Sequence, residues 1–471
     1  MAPLARPAGS PRASKEAIFS RVTLVLSAAG TLAAGAWVML ETRPSAVGPK
    51  RLAFAGACLL LAAFLLLALR FSRDARTVLS VTMISVVVAA YVSELTLRWF
   101  MTQDLWKVAQ RLGLPYDGRS MMEVVRDLRR EGEMAYPEAH PINLLPRSRR
   151  DGFMPLSGVA NATTVLCNET GAYVTYVSDE HGFRNPAGLW TGERLQVAAV
   201  GDSFTHGMCV ADGRSAIDRI RRSYPRTLNL GISGDGPLLE LATLEEYLPP
   251  LRPARVIWFF FEGNDLDPDL DVEARHPILR RYLTPGFTQN LAARQAEADT
   301  TLRGWLAEAQ ADVASKSGAG RAKFWRDLLT LQQLQRAVLL RMPGRQPPRM
   351  AVDIELFRQI LEQASRTVSA WDGRLYFAYL PWQARFRDAA RRKALDDQRS
   401  KVLATVRELG IPMIDLQPVV EAQGGASLYV PRPAGHFTAR GYEVVAEAIL
   451  KSLRDDEKRA GEASSGPVSK R

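Results

Sequence analysis

The chain has 471 residues, more than one ordinary domain holds, so two or more units are expected. Its net charge of +11 is spread along the sequence rather than gathered in one patch. The basic stretches Arg126 to Arg130 and Arg147 to Arg150 carry no interleaved aromatic residues, which excludes a nucleic-acid partner and leaves solvated faces or contacts with anionic lipid headgroups.

Three uncharged apolar stretches occupy the first hundred residues: Val22 to Leu40, Leu52 to Leu69 and Thr77 to Ser93. Each is close to the ~17–25 residues that a membrane helix needs, so residues 1–97 are expected to form a three-helix anchor in a lipid bilayer. A signal peptide is the competing reading of the first stretch alone. With the N-terminus inside, Arg6, Arg12, Lys15, Arg21, Arg70, Arg73 and Arg76 face the cytoplasm, against Arg43, Lys50, Arg51, Arg98, Lys107 and Arg111 outside. That balance weakly favours a soluble domain on the outer, periplasmic face of a bacterial inner membrane.

Residues 98–150 read as a juxtamembrane connector with a helix at Met121 to Arg130 and prolines around it. Tyr173 to Val177 alternates as a strand does and enters the α/β domain, which is expected over 151–454. From residue 195 apolar runs alternate with helical patterns: Leu195–Val200, Thr227–Leu230, Val256–Phe261, Leu375–Leu380 and Pro412–Ile414 read as strands. Five strands so connected suit a flavodoxin-like, doubly wound parallel sheet. Residues 287–349 break the rhythm as a helical insertion, with Ser315 to Arg321 as a flexible joint, and the segment either caps the active-site edge or is purely structural. The charged tail from Asp455 reads as disordered. No metal-ligand spacing and no cofactor motif is present.

The chemistry-bearing residues lie just after the strands. Ser203 stands in Gly201-Asp-Ser-Phe-Thr-His-Gly207, directly after the first run, and parallel sheets place ligands at that carboxyl edge. Asn229-Leu-Gly-Ile-Ser-Gly234 follows the second run, Gly263-Asn264-Asp265 the third, and Gly435-His436-Phe437-Thr438 opens the last helical pattern. These four blocks, in this order, resemble the SGNH (GDSL-type) hydrolase superfamily, over about half the chain. The resemblance implies that Ser203 is the nucleophile and His436 its base, with Gly234 and Asn264 as oxyanion donors beside the Ser203 amide. Gly231 is the less favoured match for the glycine.

One element departs from the pattern. The superfamily usually carries an aspartate two or three residues before the histidine, where this chain has Pro433 and Ala434. The third member is then absent or supplied from elsewhere, with Asp415 or a backbone carbonyl as substitutes. Asp202 reads as a turn-holder, Glu262 and Asp265 as pocket-shaping or sugar-contacting groups, and His206 as a pocket residue or substitute base. The resemblance implies a serine esterase or O-acyltransferase acting on an acylated cell-surface glycan or a small ester. The alternative is a non-catalytic glycan-binding or assembly subunit working with polysaccharide-export proteins.

Of three cysteines, Cys58 falls inside an apolar stretch, and Cys167 and Cys209 are the two of the soluble part. In an oxidising compartment the latter two are expected to form a disulfide; two buried free thiols are the alternative.

Overall fold

A computed structural model describes residues 11–40, 49–102, 104–335, 353–432 and 435–464. The chain divides into two units: residues 1–101 with 321–345, and residues 102–320 with 346–471.

The first unit is helical, with helices Pro11–Leu40, Pro49–Leu67 and Arg73–Thr102. Among the described residues two spans are long and apolar enough to cross a membrane, Lys15–Ala36 and Arg73–Trp99, with mean hydropathies of 1.6 and 1.9. The middle one, expected as a third crossing, is the shorter apolar helix Ala55–Arg70 among the described residues. Lys50 and Arg51 lie at its start, and a short 3₁₀ turn, Ala68–Arg70, follows its last turn. Leu26, Leu60, Val78 and Val86 are exposed on these helices. Glu94, fully buried, ion-pairs with Arg98 at 2.7 Å and accepts the Leu334 amide at 2.8 Å, so its charge is not left bare.

The second unit is built on a five-stranded parallel sheet of order β5-β4-β6-β7-β8. Its strands are β4 (Val197–Val200), β5 (Thr227–Asn229), β6 (Arg255–Phe261), β7 (Arg374–Leu380) and β8 (Met413–Asp415). Successive side chains of a strand point to opposite faces, and both faces are covered here. Ala198, Val200, Val256, Trp258, Phe260 and Phe377 enter one apolar core; Val197, Ala199, Ile257, Phe259, Phe261 and Ala378 enter the other. That is the doubly wound arrangement expected from the alternating runs.

A second, three-stranded sheet precedes it, with β1 (Ala135–Pro137), β2 (Thr163–Cys167) and β3 (Val174–Val177) in the order β1-β2-β3. Residues 98–150, read as a connector, are therefore folded well beyond a single helix. Ser120 and Glu123 cap the expected Met121–Arg130 helix reciprocally, and helix Pro141–Asp151 sends Leu145 into the sheet's core.

The expected joint at 315–321 is helical, since Gln295–Leu329 is one helix of 35 residues. Two glycines there cost about 1 kcal/mol each against alanine, too little to break a helix continued on both sides. The expectation of disorder from Asp455 is corrected over residues 455–464, where the closing helix Ala439–Ser464 continues; the rest of that tail lies outside the described residues. Tyr224 bonds Glu457, and Tyr376 bonds Asp456, which fastens that part of the helix to the domain.

Candidate active site

β4 ends at Val200, and the chain turns sharply at Gly201, whose φ of +152° favours glycine. A Cβ there would stand 2.2 Å from the Thr205 hydroxyl and 2.9 Å from the Phe259 Cβ, so no side chain fits between turn and sheet. Asp202 caps the short helix Ser203–His206 by accepting the Phe204 amide at 2.9 Å. It holds the turn, as expected, and burial pushes its carboxyl up to about 6.

Ser203 Oγ lies 2.7 Å from Nε2 of His436. On the other side of the ring, Nδ1 is 3.0 Å from Oε1 of Glu169, and the second oxygen of Glu169 accepts the His436 backbone amide at 2.9 Å. A carboxylate only accepts, so Nδ1 carries the proton and Nε2 offers its lone pair to the serine hydroxyl. Burial pushes the Glu169 carboxyl up, but the hydrogen bond and charge of His436 outweigh it and hold the group below the usual carboxylate range.

The acid is thus supplied from the segment after β2, not from the residues before the histidine. Pro433 and Ala434 lie outside the described residues. Asp415 is excluded as the substitute: it pairs with Arg399 and accepts the Gln417 amide. His206 does not serve as a base either, for it is fully buried against Glu138, Tyr176 and Ser233. Glu262 and Asp265 are buried as well. Glu262 bonds Tyr379, the Trp382 amide and Arg385, and Asp265 accepts the Phe261 amide, so both hold loops and neither meets the pocket.

Cys167 and Cys209 form a disulfide, with Cα atoms 5.7 Å apart. It joins the end of β2, two residues before Glu169, to the turn six residues beyond Ser203. Acid and nucleophile are held by one covalent cross-link.

The pocket over Ser203 has a volume of about 350 Å³ and is lined by His140, Gly234, Phe261, Asn264, Trp382 and His436 among others. Gly234 has φ +82°, and a Cβ there would stand 3.2 Å from Ile142, so the glycine keeps the pocket wall thin. No acceptor for the Gly234 amide is present among the described residues. The side-chain nitrogen of Asn264 donates to Asp269 at 2.5 Å, which fixes the amide at the end of β6. The structure therefore brings Ser203, Gly234, Asn264 and His436 to one cavity at the carboxyl edge of the sheet. No described residue of 287–349 lines it.

Two contributors escaped the sequence. Glu169 had one available signal: its place two residues after a cysteine expected to pair with Cys209. His140 had none, because its position depends on the helix Pro141–Asp151 packing on the sheet.

The sheet order and the four blocks meeting at its carboxyl edge define an SGNH-type α/β domain with an upstream helical unit. The chain belongs to the GDSL-like lipase/acylhydrolase family, whose model matches residues 199–444, more than half of it. No curated protein matches the sequence. Similar solved structures include a lipase/acylhydrolase from Enterococcus faecalis, at 14% identity, covering 56% of this chain and 97% of that one with a TM-score of 0.32. An acetyl xylan esterase from Geobacillus stearothermophilus is 14% identical over 56% of this chain and 96% of that one, with a TM-score of 0.32. A member of the lipolytic G-D-S-L family from Veillonella parvula is 14% identical over 55% and 97%, with a TM-score of 0.30.

Proposed function

We propose that this protein is a membrane-tethered serine esterase or O-acyltransferase with its α/β domain in the periplasm, acting on acyl groups of cell-surface glycans. The observation that carries the acyl chemistry is the continuous Ser203–His436–Glu169 relay. His436 Nε2 takes the Ser203 proton as Oγ attacks the ester carbonyl. The tetrahedral oxyanion is met by the Ser203 and Gly234 amides and the Asn264 side chain. Collapse expels the alcohol, which receives its proton from His436, and leaves an acyl-serine. Water or a sugar hydroxyl, deprotonated by the same imidazole, then takes the acyl group.

The two apolar spans support the tether, and the disulfide supports an oxidising compartment. For a glycan speaks Trp382, an aromatic residue in the pocket wall whose ring also carries the Arg391 guanidinium at 4.8 Å. The non-catalytic alternative loses its chief argument, the missing acid, because Glu169 supplies it.

The test is labelling of the purified chain with a fluorophosphonate, together with turnover of p-nitrophenyl acetate. Labelling lost in Ser203→Ala is the expected result. An intact, folded wild type that neither labels nor turns over would overturn the proposal. Adding an acetylated oligosaccharide as donor and a free one as acceptor separates hydrolysis from transfer.

A further inference from the structure

His140 faces the pocket from the start of helix Pro141–Asp151, and its Nδ1 lies 3.0 Å from the carbonyl oxygen of Ser233. That carbonyl and the Gly234 N–H are the two ends of one peptide group. A carbonyl only accepts, so His140 Nδ1–H is the donor. The opposite side of the ring faces a buried carboxylate: Nε2 is 3.4 Å from Oε2 of Glu138, whose side chain is only 2% exposed. The other oxygen of Glu138 is 3.1 Å from Nδ1 of His206, one turn after Ser203, and His206 is itself held by the Tyr176 hydroxyl and by the Ser233 hydroxyl.

A buried carboxylate between two imidazoles is costly to assemble and is not needed to fold a parallel sheet. Its place explains it: both imidazoles end on Ser233, one on the carbonyl and one on the hydroxyl. A peptide whose carbonyl is fixed on one side presents its N–H on the other. Donation to that carbonyl also polarises the peptide and strengthens the N–H as a donor.

We infer that His140 is a positioning residue of the oxyanion hole, holding and polarising the Ser233–Gly234 peptide so that its N–H meets the developing oxyanion, with His206 on the Ser233 hydroxyl as the buried support. This rests on the acyl-hydrolase reading above. His140 acts through the peptide, so its loss weakens transition-state binding and leaves ground-state binding nearly untouched.

The experiment compares His140→Ala and His140→Asn in the purified full chain, with kcat referred to folded protein. Asn carries an amide N–H near the place of Nδ1; Ala carries nothing. Removing one oxyanion donor costs about 10²–10³ in kcat, and losing its alignment is expected to cost ~10–10² with KM within about twofold. His140→Asn should recover much of that loss. Fluorophosphonate reacts with its phosphoryl oxygen in the same hole, so its labelling rate should fall in parallel. An unchanged kcat in His140→Ala, or an equal loss in both variants, would overturn the inference. If Asn264→Ala slows labelling while both His140 variants label normally, this inference fails and the hydrolase reading stands. An unreactive wild type removes both.

Discussion

Oε1 of Glu169 stands 3.0 Å from Nδ1 of His436, although 267 residues separate them in the chain. The contact fixes the tautomer in which His436 is a base. Glu169→Gln should therefore lower kcat by ~10²–10⁴ in ester turnover while the protein stays folded, because a neutral amide no longer favours the imidazolium. Glu169→Asp, shorter by one methylene, should fall between. Wild-type turnover in Glu169→Gln would return the histidine to a dyad.

Ser203→Ala and His436→Ala should each remove most turnover, and the double variant should be hardly worse than either, since residues acting as one unit are not additive. Losses that multiply would show that the two act independently, against the 2.7 Å contact.

Asn264→Ala should lower kcat by ~10²–10³ with little change in KM. Asp269→Leu, which removes the acceptor bonded to the Asn264 nitrogen, should give a smaller loss of the same kind. If Asn264→Ala changes only the melting temperature, the residue is a turn former.

Reduction of Cys167–Cys209 should lower both stability and activity. Closing a loop over a sequence separation of 42 contributes about 4 kcal/mol in the chain-entropy model. Cys167→Ser and Cys209→Ser should each lower kcat further than unfolding accounts for, because Glu169 loses its tether to the nucleophile turn. Mass spectrometry of the native protein after alkylation, without reductant, should find neither thiol modified.

Folding stability should fall as pH rises from about 4 to 8. Burial raises the Asp269 carboxyl to about 7 and Glu273 to about 8. A carboxyl whose pKa is raised on folding binds its proton more tightly in the native state. Its penalty is absent below the unfolded pKa and grows until the folded pKa is passed. Glu240, fully buried with both oxygens unpartnered among the described residues, is pushed up by burial and by Asp265. Glu240→Gln should flatten the decline in chemical denaturation across that range. Glu169 runs the other way, its contribution being lost only as pH falls through its lowered pKa.

The strands of the large sheet were legible because fully buried parallel strands are written as short apolar runs, such as Val256 to Phe261. Ser203, Gly234, Asn264 and His436 were legible because each must follow a strand end or precede a helix at a set offset. Glu169 was not, since an orienting acid has only to reach the imidazole in space and no local rule fixes its place. The pairing of Cys167 with Cys209 was the one long-range relation readable in advance, and it already pointed to the right segment. β1 was missed because three residues ending in Pro137 carry no periodicity.

Cys167, Glu169, Glu138 and His140 all stand upstream of residue 199, where the family match begins. A fragment trimmed to that region would keep Ser203, His436, Gly234 and Asn264 but lose Glu169, His140 and the disulfide partner of Cys209. The folded unit that carries the site is consequently longer than the recognisable one, and a survey confined to the recognisable part would find Ser203 and His436 without the Glu169 carboxylate beside them.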